Sequence, residues 1–236
     1  MPLYNNREYV NLMRPLPNNI DRDIYGIPFI KKQKIDIVDL NNGKWLINPH
    51  NLKKSDNKSQ RKIVHSFLYD KDLNRYYNNI WTYMDNIASY YASCSFDFSM
   101  HKGMQEAQII YAVFKNRWSG SFMQSLGRLV IPTVGWVDEK TYDICFAGLE
   151  DGSVFIISTL GVCNDDCKED FLKGFFELRR RFPDSKIICV GEKLKEMPND
   201  VCYIKYTESF GRNNKYSDMW QPKLFNWDMS VAMEVV

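Results

Sequence analysis

Three carboxylates in this sequence lie where an apolar run stops, and carboxylates at such points are candidates for general acid or base work. They are Asp70, Asp97 and Glu192. Carboxylates are also ligands for divalent metals. Asp97 is the first choice, because its neighbours Phe96 and Phe98 are apolar and an idle carboxylate is costly to bury among them. We therefore predict that Asp97 is the main acid, base or nucleophile and that Asp70 and Glu192 assist it.

A second set of side chains near the same points carries groups that bind a ligand rather than react with it. We predict substrate binding by Ser99, Arg117, Gln124, Trp136, Ser158 and Thr159. The guanidinium of Arg117 would hold an anion, and the indole of Trp136 would stack on a base. The alternative for these residues is structural, because Asp and Ser after a strand also cap helices and form turns. A long arginine side chain also extends over helix surfaces.

The elements that must position these residues alternate between strand and helix from residue 70 to residue 206. Apolar residues at helical spacing predict helices over 71–88, 103–118, 142–149 and 166–182. Gly120 is predicted to interrupt the second of these helices, and Gly127 to end its continuation. Apolar runs predict strands near residues 28, 63, 92, 129, 153, 186 and 201. The runs at 129–134, 153–160 and 186–190 are apolar throughout, which is typical of a parallel sheet covered on both faces.

Seven strands are one fewer than a closed eight-stranded barrel requires. We predict an α/β fold with a compact or incomplete (β/α) barrel-like single domain, and an open doubly wound parallel sheet as the alternative. Ligands bind at the carboxyl ends of the strands in both architectures, so the residues above would share one rim. We divide the chain into an irregular segment (1–27), an α/β core (28–206) and a polar and aromatic tail (207–236).

The composition excludes several classes of protein. The chain has 236 residues, of which 44% are hydrophobic, and a formal net charge of +2. These values exclude a disordered tail protein, a collagen-like chain and a strongly basic histone-like binder. No apolar run approaches the ~18–20 residues that span a bilayer, and Met1–Tyr9 lacks the apolar core of a signal peptide. We expect a cytoplasmic protein with no membrane association and with reduced cysteines.

Cys163 and Cys167 are the only closely spaced pair among the six cysteines. A four-residue step places two thiolates on one helical face, but zinc requires two further ligands. We predict two ordinary thiols and no metal site, with metal binding by this pair as the alternative. The familiar metal, nucleophile and phosphate-loop motifs are absent from the sequence, so any cofactor remains unknown.

Basic charge is concentrated in the first third of the chain. Residues 1–75 contain 14 Lys and Arg against 8 Asp and Glu, and the densest stretch is 53–62. Nucleic acid bound at such a stretch has a steeply salt-dependent affinity. We predict nucleic-acid contacts by Lys53, Lys54, Lys58, Arg61 and Lys62, with an ordinary solvated loop as the alternative.

Several short segments of the central region resemble one family when they are taken together. They are Asp97–Ser99, Arg117 with Trp118, Gly120, Gln124, Gly127, Ile131–Trp136, Cys145–Gly148 and Ser153–Gly161. The pattern resembles the domain of unknown function 4417 family of phages, plasmids and integrative elements, over about residues 25–205. That family has no settled activity, so the resemblance implies a cytoplasmic protein of a mobile element and no particular reaction. The turn Gly148–Gly152 departs from the family's glycine-proline-like turn.

A looser resemblance concerns Ile131–Trp136 and the Tyr-x-x-Cys sequence that follows it. This combination is similar to tRNA-guanine transglycosylase-like barrels, which exchange bases by means of aspartates at strand ends. The zinc-binding Cys/His cluster of those enzymes is not recognisable in this sequence, and the chain is short for that fold.

Two classes of function therefore remain open. The first is an enzyme that acts on nucleic acid, a nucleotide or a base through carboxylates at strand ends. The second is a non-catalytic binding protein for host takeover, inhibition of a defence system or control of element replication. Such a protein would contact a host or phage protein through its aromatic residues at 208–236.

Overall fold

The computed structural model describes residues 7–35, 46–53, 55–162 and 165–205. Within these ranges the helices are α1 (Arg7–Met13), α2 (Asp70–Asn78), α3 (Ile80–Ile87), α4 (Glu106–Ser125), α5 (Tyr142–Cys145) and α6 (Asp165–Arg181). The strands are β1 (Leu46–Ile47), β2 (Ile63–Val64), β3 (Ala92–Cys94), β4 (Val130–Ile131), β5 (Val154–Ser158), β6 (Lys186–Val190) and β7 (Cys202–Ile204). The described chain is therefore the mixed α/β fold that the sequence predicts, but the strand predicted near residue 28 is wrong, because Pro28 forms only an isolated bridge with Arg22.

The described strands pair in parallel and follow one another in chain order. Strands β1 to β4 form one sheet and β5 to β7 form another. A parallel bridge between Thr133 and Ile156 connects the two sheets. This order never reverses, so the strands wind in the manner of a barrel, whereas a doubly wound sheet has a reversal point. No pairing of β7 with β1 closes the ring within the described residues, which fits an incomplete barrel.

One apolar cluster receives side chains from all seven strands. Its strand members are Leu46, Ile63, Ala92, Cys94, Ile131, Val154, Ile156, Ile188, Val190 and Ile204. Alternate residues such as Val64, Phe155 and Ile187 belong instead to the two clusters that contain the helices. Because successive strand residues face opposite sides, both faces of the sheets are covered. This double coverage explains the continuous apolar runs in the sequence.

Two of the helix predictions are wrong in detail. The predicted helix over 71–88 is two helices, which meet at Asn79, where φ is −126° and ψ is 46°. Gly120 does not interrupt α4, which is continuous through it. A Cβ at position 120 would lie 2.3 Å from Cδ1 of Ile30, so glycine permits close packing here. Gly127, at φ 81°, follows the end of α4 as predicted.

The amino-terminal part of the chain is more ordered than the sequence suggests. Helix α1 lies within the segment predicted to be irregular, and Val10 and Leu16 pack into the core. The indole of Trp118 donates a hydrogen bond to the carbonyl of Arg14 at 2.6 Å. Residues 206–236, which contain the proposed partner-binding tail, lie outside the described ranges. Within those ranges, no helix combines the length and the apolarity that crossing a membrane demands.

Candidate active site

A cavity of about 350 Å³ lies at the carboxyl ends of β1 to β5. Its wall is formed by residues that follow these strands, including Asn48 after β1, Asp70 after β2 and Asp97 after β3. Gly135 follows β4, and Leu160 follows β5. The volume is at the lower end of the ~300–1,000 Å³ of typical small-molecule pockets. The carboxyl ends of the first five strands thus converge on one cavity, as a barrel-like architecture predicts.

Five of the residues predicted for catalysis or substrate binding line this cavity. They are Asp70, Asp97, Ser99, Trp136 and Ser158. The other four, which are Glu192, Thr159, Arg117 and Gln124, are not among its lining residues. The strand-end rule therefore groups the carboxylates after β2 and β3 correctly, but not the carboxylate after β6.

Asp97 is a partly buried carboxylate at the end of β3. It makes no hydrogen bond or ion pair within the described part of the chain. Burial and, to a smaller extent, the negative charge of Asp70 raise the pKa of Asp97 to about 7, although Arg117 acts in the opposite direction. A carboxyl group with a pKa near neutrality is suited to both donating and accepting a proton at neutral pH.

Asp70 is held in place by the loop that follows β3. The amide and the hydroxyl of Ser99 donate hydrogen bonds to Oδ1 of Asp70 at 3.0 and 2.9 Å. Asp70 also begins α2, where a helix N-terminus favours negative charge. These contacts fix a negative charge close to Asp97.

A buried polar network fixes the ends of β2, β3 and β4. The hydroxyl of Ser66 donates to the carbonyl of Ser95, and the hydroxyl of Ser95 donates to Oδ1 of Asn116 at 2.8 Å. The amide of Thr133 donates to Oγ of Ser95 at 2.8 Å, and Nδ2 of Asn116 donates to the carbonyl of Thr133 at 3.0 Å. Ser95 is two residues before Asp97, so this network anchors the strand end that carries Asp97.

Arg117 belongs to the same network and is only 2% exposed. Its guanidinium donates to the carbonyls of Ala147 at 2.8 Å, Thr133 at 3.0 Å and Cys145 at 2.8 Å. Burial lowers the pKa of Arg117 to about 10, so it remains charged at neutral pH. Its described contacts connect α4 to the segments around α5, and none of them is with the cavity.

Gln124 lies near the opposite ends of the strands. Its Nε2 donates to the carbonyl of Lys31 and to Oε1 of Gln33, both at 2.8 Å. Oε1 of Gln33 also accepts the amide of Val130, the first residue of β4. Gln124 thus stabilises the amino end of β4.

The basic stretch also lies at the amino ends of the strands, because it directly precedes β2. Lys62 pairs with Asp56 at 2.6 Å, and Lys53, Lys58 and Arg61 belong to the same stretch. Lys54 lies outside the described residues. The proposed nucleic-acid contact and the cavity are therefore on opposite edges of the sheets.

Side-chain hydrogen bonds connect the carboxyl ends of β5 and β6 and the residues that follow them. The hydroxyl of Thr159 donates to the carbonyl of Glu192 at 2.9 Å, and that of Ser158 donates to the carbonyl of Val190 at 3.1 Å. The Glu192 side chain is exposed. Thr159 and Ser158 therefore have structural contacts, and Ser158 also faces the cavity.

Sequence reasoning missed several lining residues, among them His50, Asp72 and His101. Nε2 of His50 lies 3.5 Å from Oδ2 of Asp72, and Nδ1 of His50 lies 3.3 Å from the hydroxyl of Tyr76. A prediction of β1 would have found His50, because His50 follows that strand by three residues. Three aspartates, two histidines and neither lysine nor arginine line the cavity within the described ranges.

No group of three His, Cys, Asp or Glu side chains within the described residues is arranged to hold a metal ion. Cys167 belongs to α6, whereas Cys163 lies outside the described ranges. The carboxylates and imidazoles that line the cavity are proton-transfer groups and hydrogen-bond acceptors.

Trp136 forms one side of the cavity and packs against helix α6 on its other side. Its ring centroid is 5.1 Å from that of Phe171 and 6.1 Å from that of Phe146. Phe67, Tyr69 and Phe98 also line the cavity. Flat apolar surfaces of this kind suit a flat ligand.

Comparison with known proteins confirms the resemblance that the sequence motifs indicate. The family described as Domain of unknown function (DUF4417) matches residues 21–207. The Gene 1 protein of Mycobacterium phage L5 is 29% identical over 130 residues, which cover 55% of this chain and 57% of the relative. The Gene 1 protein of Mycobacterium phage D29 is 27% identical over 163 residues, which cover 66% of this chain and 59% of the relative. The match thus spans less than two thirds of either relative, and no solved structure matches the chain.

Proposed function

This chain belongs to the DUF4417 family, and from that premise we propose that it is an enzyme acting on a nucleobase, either free or carried by a nucleoside, nucleotide or nucleic acid. Asp97 is the group that exchanges a proton with the bound base. The observation that carries the proposal is the position of Asp97, which is a carboxylate without a described partner in a cavity at strand ends. We place the activity in the cytoplasm of a cell that carries the phage or element, in keeping with its phage relatives.

The electrostatic surroundings of Asp97 support this role. Its pKa of about 7 makes both protonation states available near neutral pH. In the protonated state Asp97 donates to a ring nitrogen or leaving group, and in the ionised state it accepts a proton. A well-placed general acid or base typically contributes ~10²–10⁴-fold to the rate. Asp70, held by Ser99, favours the protonated state of Asp97.

The lining of the cavity supports a base as the bound group. Trp136 and Phe98 present aromatic surface, and stacking of a base on an aromatic side chain contributes ~1–3 kcal/mol. Phosphate recognition normally uses arginine, lysine or a free helix N-terminus. The described wall has no lysine or arginine, and Asp70 and Asp72 occupy the first turn of α2. These features favour entry of the base, with any phosphate remaining outside.

The test is a screen for base modification, release or exchange. Purified protein is incubated with nucleosides, nucleotides and oligonucleotides, and the products are separated and weighed by liquid chromatography and mass spectrometry. The wild-type protein is expected to change a base in at least one of these substrates, and Asp97→Asn is expected to lose at least 100-fold of that rate. Asp85→Asn, which alters an exposed carboxylate on α3, is the matched control. Equal activity of Asp97→Asn and wild type would exclude the proposed role.

A further inference from the structure

Gly174 lies in the middle of α6 and is buried. Glycine is among the least favourable residues inside a helix, so its presence there requires a reason. A Cβ built at position 174 would lie 2.2 Å from both Cδ1 and Nε1 of Trp136 and 2.6 Å from Cε2. The indole of Trp136 therefore rests directly on the backbone of α6, and only glycine leaves room for it.

The remaining neighbours of Trp136 restrict the direction in which its ring can move. Phe171 of α6 and Phe146, which follows α5, pack against it, and the indole also lines the cavity. Ordinary van der Waals contact begins at 3.4 Å. Ordinary contact with a side chain at position 174 therefore requires the ring, or α6 itself, to move by about 1.2 Å. Displacement of the ring towards the cavity narrows the space in which a flat ligand would lie.

We propose that Gly174 keeps the ligand slot beside Trp136 wide enough for the flat ring of a base. This inference rests on the proposed function for the identity of the ligand. Gly174 acts through Trp136, so it is a positioning residue and does not itself contact the base.

The first experiment measures equilibrium binding of adenosine, guanosine, cytidine and uridine to wild type and to Gly174→Ala. Binding of the nucleosides that the wild type holds is expected to weaken at least tenfold in Gly174→Ala, because the displaced indole narrows the slot for a flat ring of either size. Unchanged binding would overturn the inference.

The second experiment follows the Trp136 indole without any ligand. Its N–H resonance is assigned by its disappearance in Trp136→Phe, and Gly174→Ala is expected to shift it. The matched control is Gly174→Ala in a Trp136→Ala background, where the new methyl group has space. There the substitution is expected to raise the melting temperature, because alanine favours the helix more than glycine does. An unchanged resonance, or a lowered melting temperature in the control, would contradict the contact.

The two experiments separate the inference from the proposed function. Failure of wild type to bind any of the nucleosides, nucleotides and oligonucleotides screened above, together with the expected indole shift, would refute the proposed base ligand, while the Gly174–Trp136 contact would stand. Base binding that is insensitive to Gly174→Ala would refute the inference alone.

Discussion

Replacement of Asp97 by asparagine is expected to stabilise the fold at neutral and alkaline pH. The pKa of Asp97 is about 7, against an ordinary value of 3.8. At a pH between these two pKa values, the folded protein retains on Asp97 a proton that the unfolded chain has released. The free energy of unfolding therefore falls as pH rises from about 4 to about 7, and the loss is complete above the folded-state pKa.

The size of this effect follows from the shift in pKa. Each pKa unit corresponds to ~1.36 kcal/mol, so the change from 3.8 to about 7 corresponds to about 4 kcal/mol. Asparagine has the shape of the neutral acid and carries no charge at any pH. Asp97→Asn should therefore be more stable than wild type by up to about 4 kcal/mol at pH 8, and close to wild type at pH 4.

Urea unfolding of both proteins at about pH 4, 6 and 8 tests this expectation, because the linear extrapolation gives the free energy of unfolding at each pH. Asp85→Asn serves as the control and should follow wild type at every pH, since Asp85 is exposed. A stability difference between Asp97→Asn and wild type that is the same at all three values would refute the reasoning. A gain in stability accompanied by loss of activity is the usual signature of a functional residue.

Three further predictions concern the surroundings of Asp97 and the packing of α4. Arg117→Met should lower the free energy of unfolding by about 2–5 kcal/mol, because it leaves buried carbonyls without donors; chemical denaturation measures this loss. Gly120→Ala should cost about 1–3 kcal/mol through its clash with Cδ1 of Ile30, and Ile30→Val, which removes that atom, should recover part of the loss in melting temperature. Asp70→Asn should lower the pKa of Asp97 without restoring its ordinary value, because burial is the larger cause; carboxyl ¹³C NMR titration of Asp97 would show no shift if Asp70 had no influence.

Elements with a strong local signal could be predicted from the sequence. The bounds of β6, Lys186–Val190, agree with the prediction, and α6 has an acidic start and a basic end. Strand β1 has only two residues, Leu46 and Ile47, and no longer apolar run surrounds it, whereas the equally short β2 and β4 lie within the apolar runs 63–69 and 129–134. Helix α4 is buried around much of its circumference, so buried polar residues such as Asn116 obscure its amphipathic pattern.

The residues of the candidate site also divide into those whose position could be predicted from the sequence and those whose position could not. The shared position of Asp70, Asp97 and Trp136 at one cavity could be predicted, because parallel strands bring their carboxyl ends to one edge. Arg117 was selected for its residue type, but the direction of its side chain depends on α4 packing against α5. Sequence spacing alone does not contain that information.

Because the strands are parallel, the positive charges of the basic stretch and the ionisable carboxyl group of Asp97 lie at opposite edges of the sheet. The basic stretch ends at Lys62, whose carbonyl accepts the amide of Tyr91, and the six residue steps from Tyr91 through β3 to Asp97 span up to about 20 Å. Exposed charges at that distance are largely screened at physiological ionic strength, where the Debye length is ~8 Å. Gain or loss of lysines before β2 should thus alter long-range attraction to a polyanion while the proton affinity of Asp97 stays the same. Affinity for a large charged partner and acid–base chemistry on a small ligand are thereby free to evolve independently.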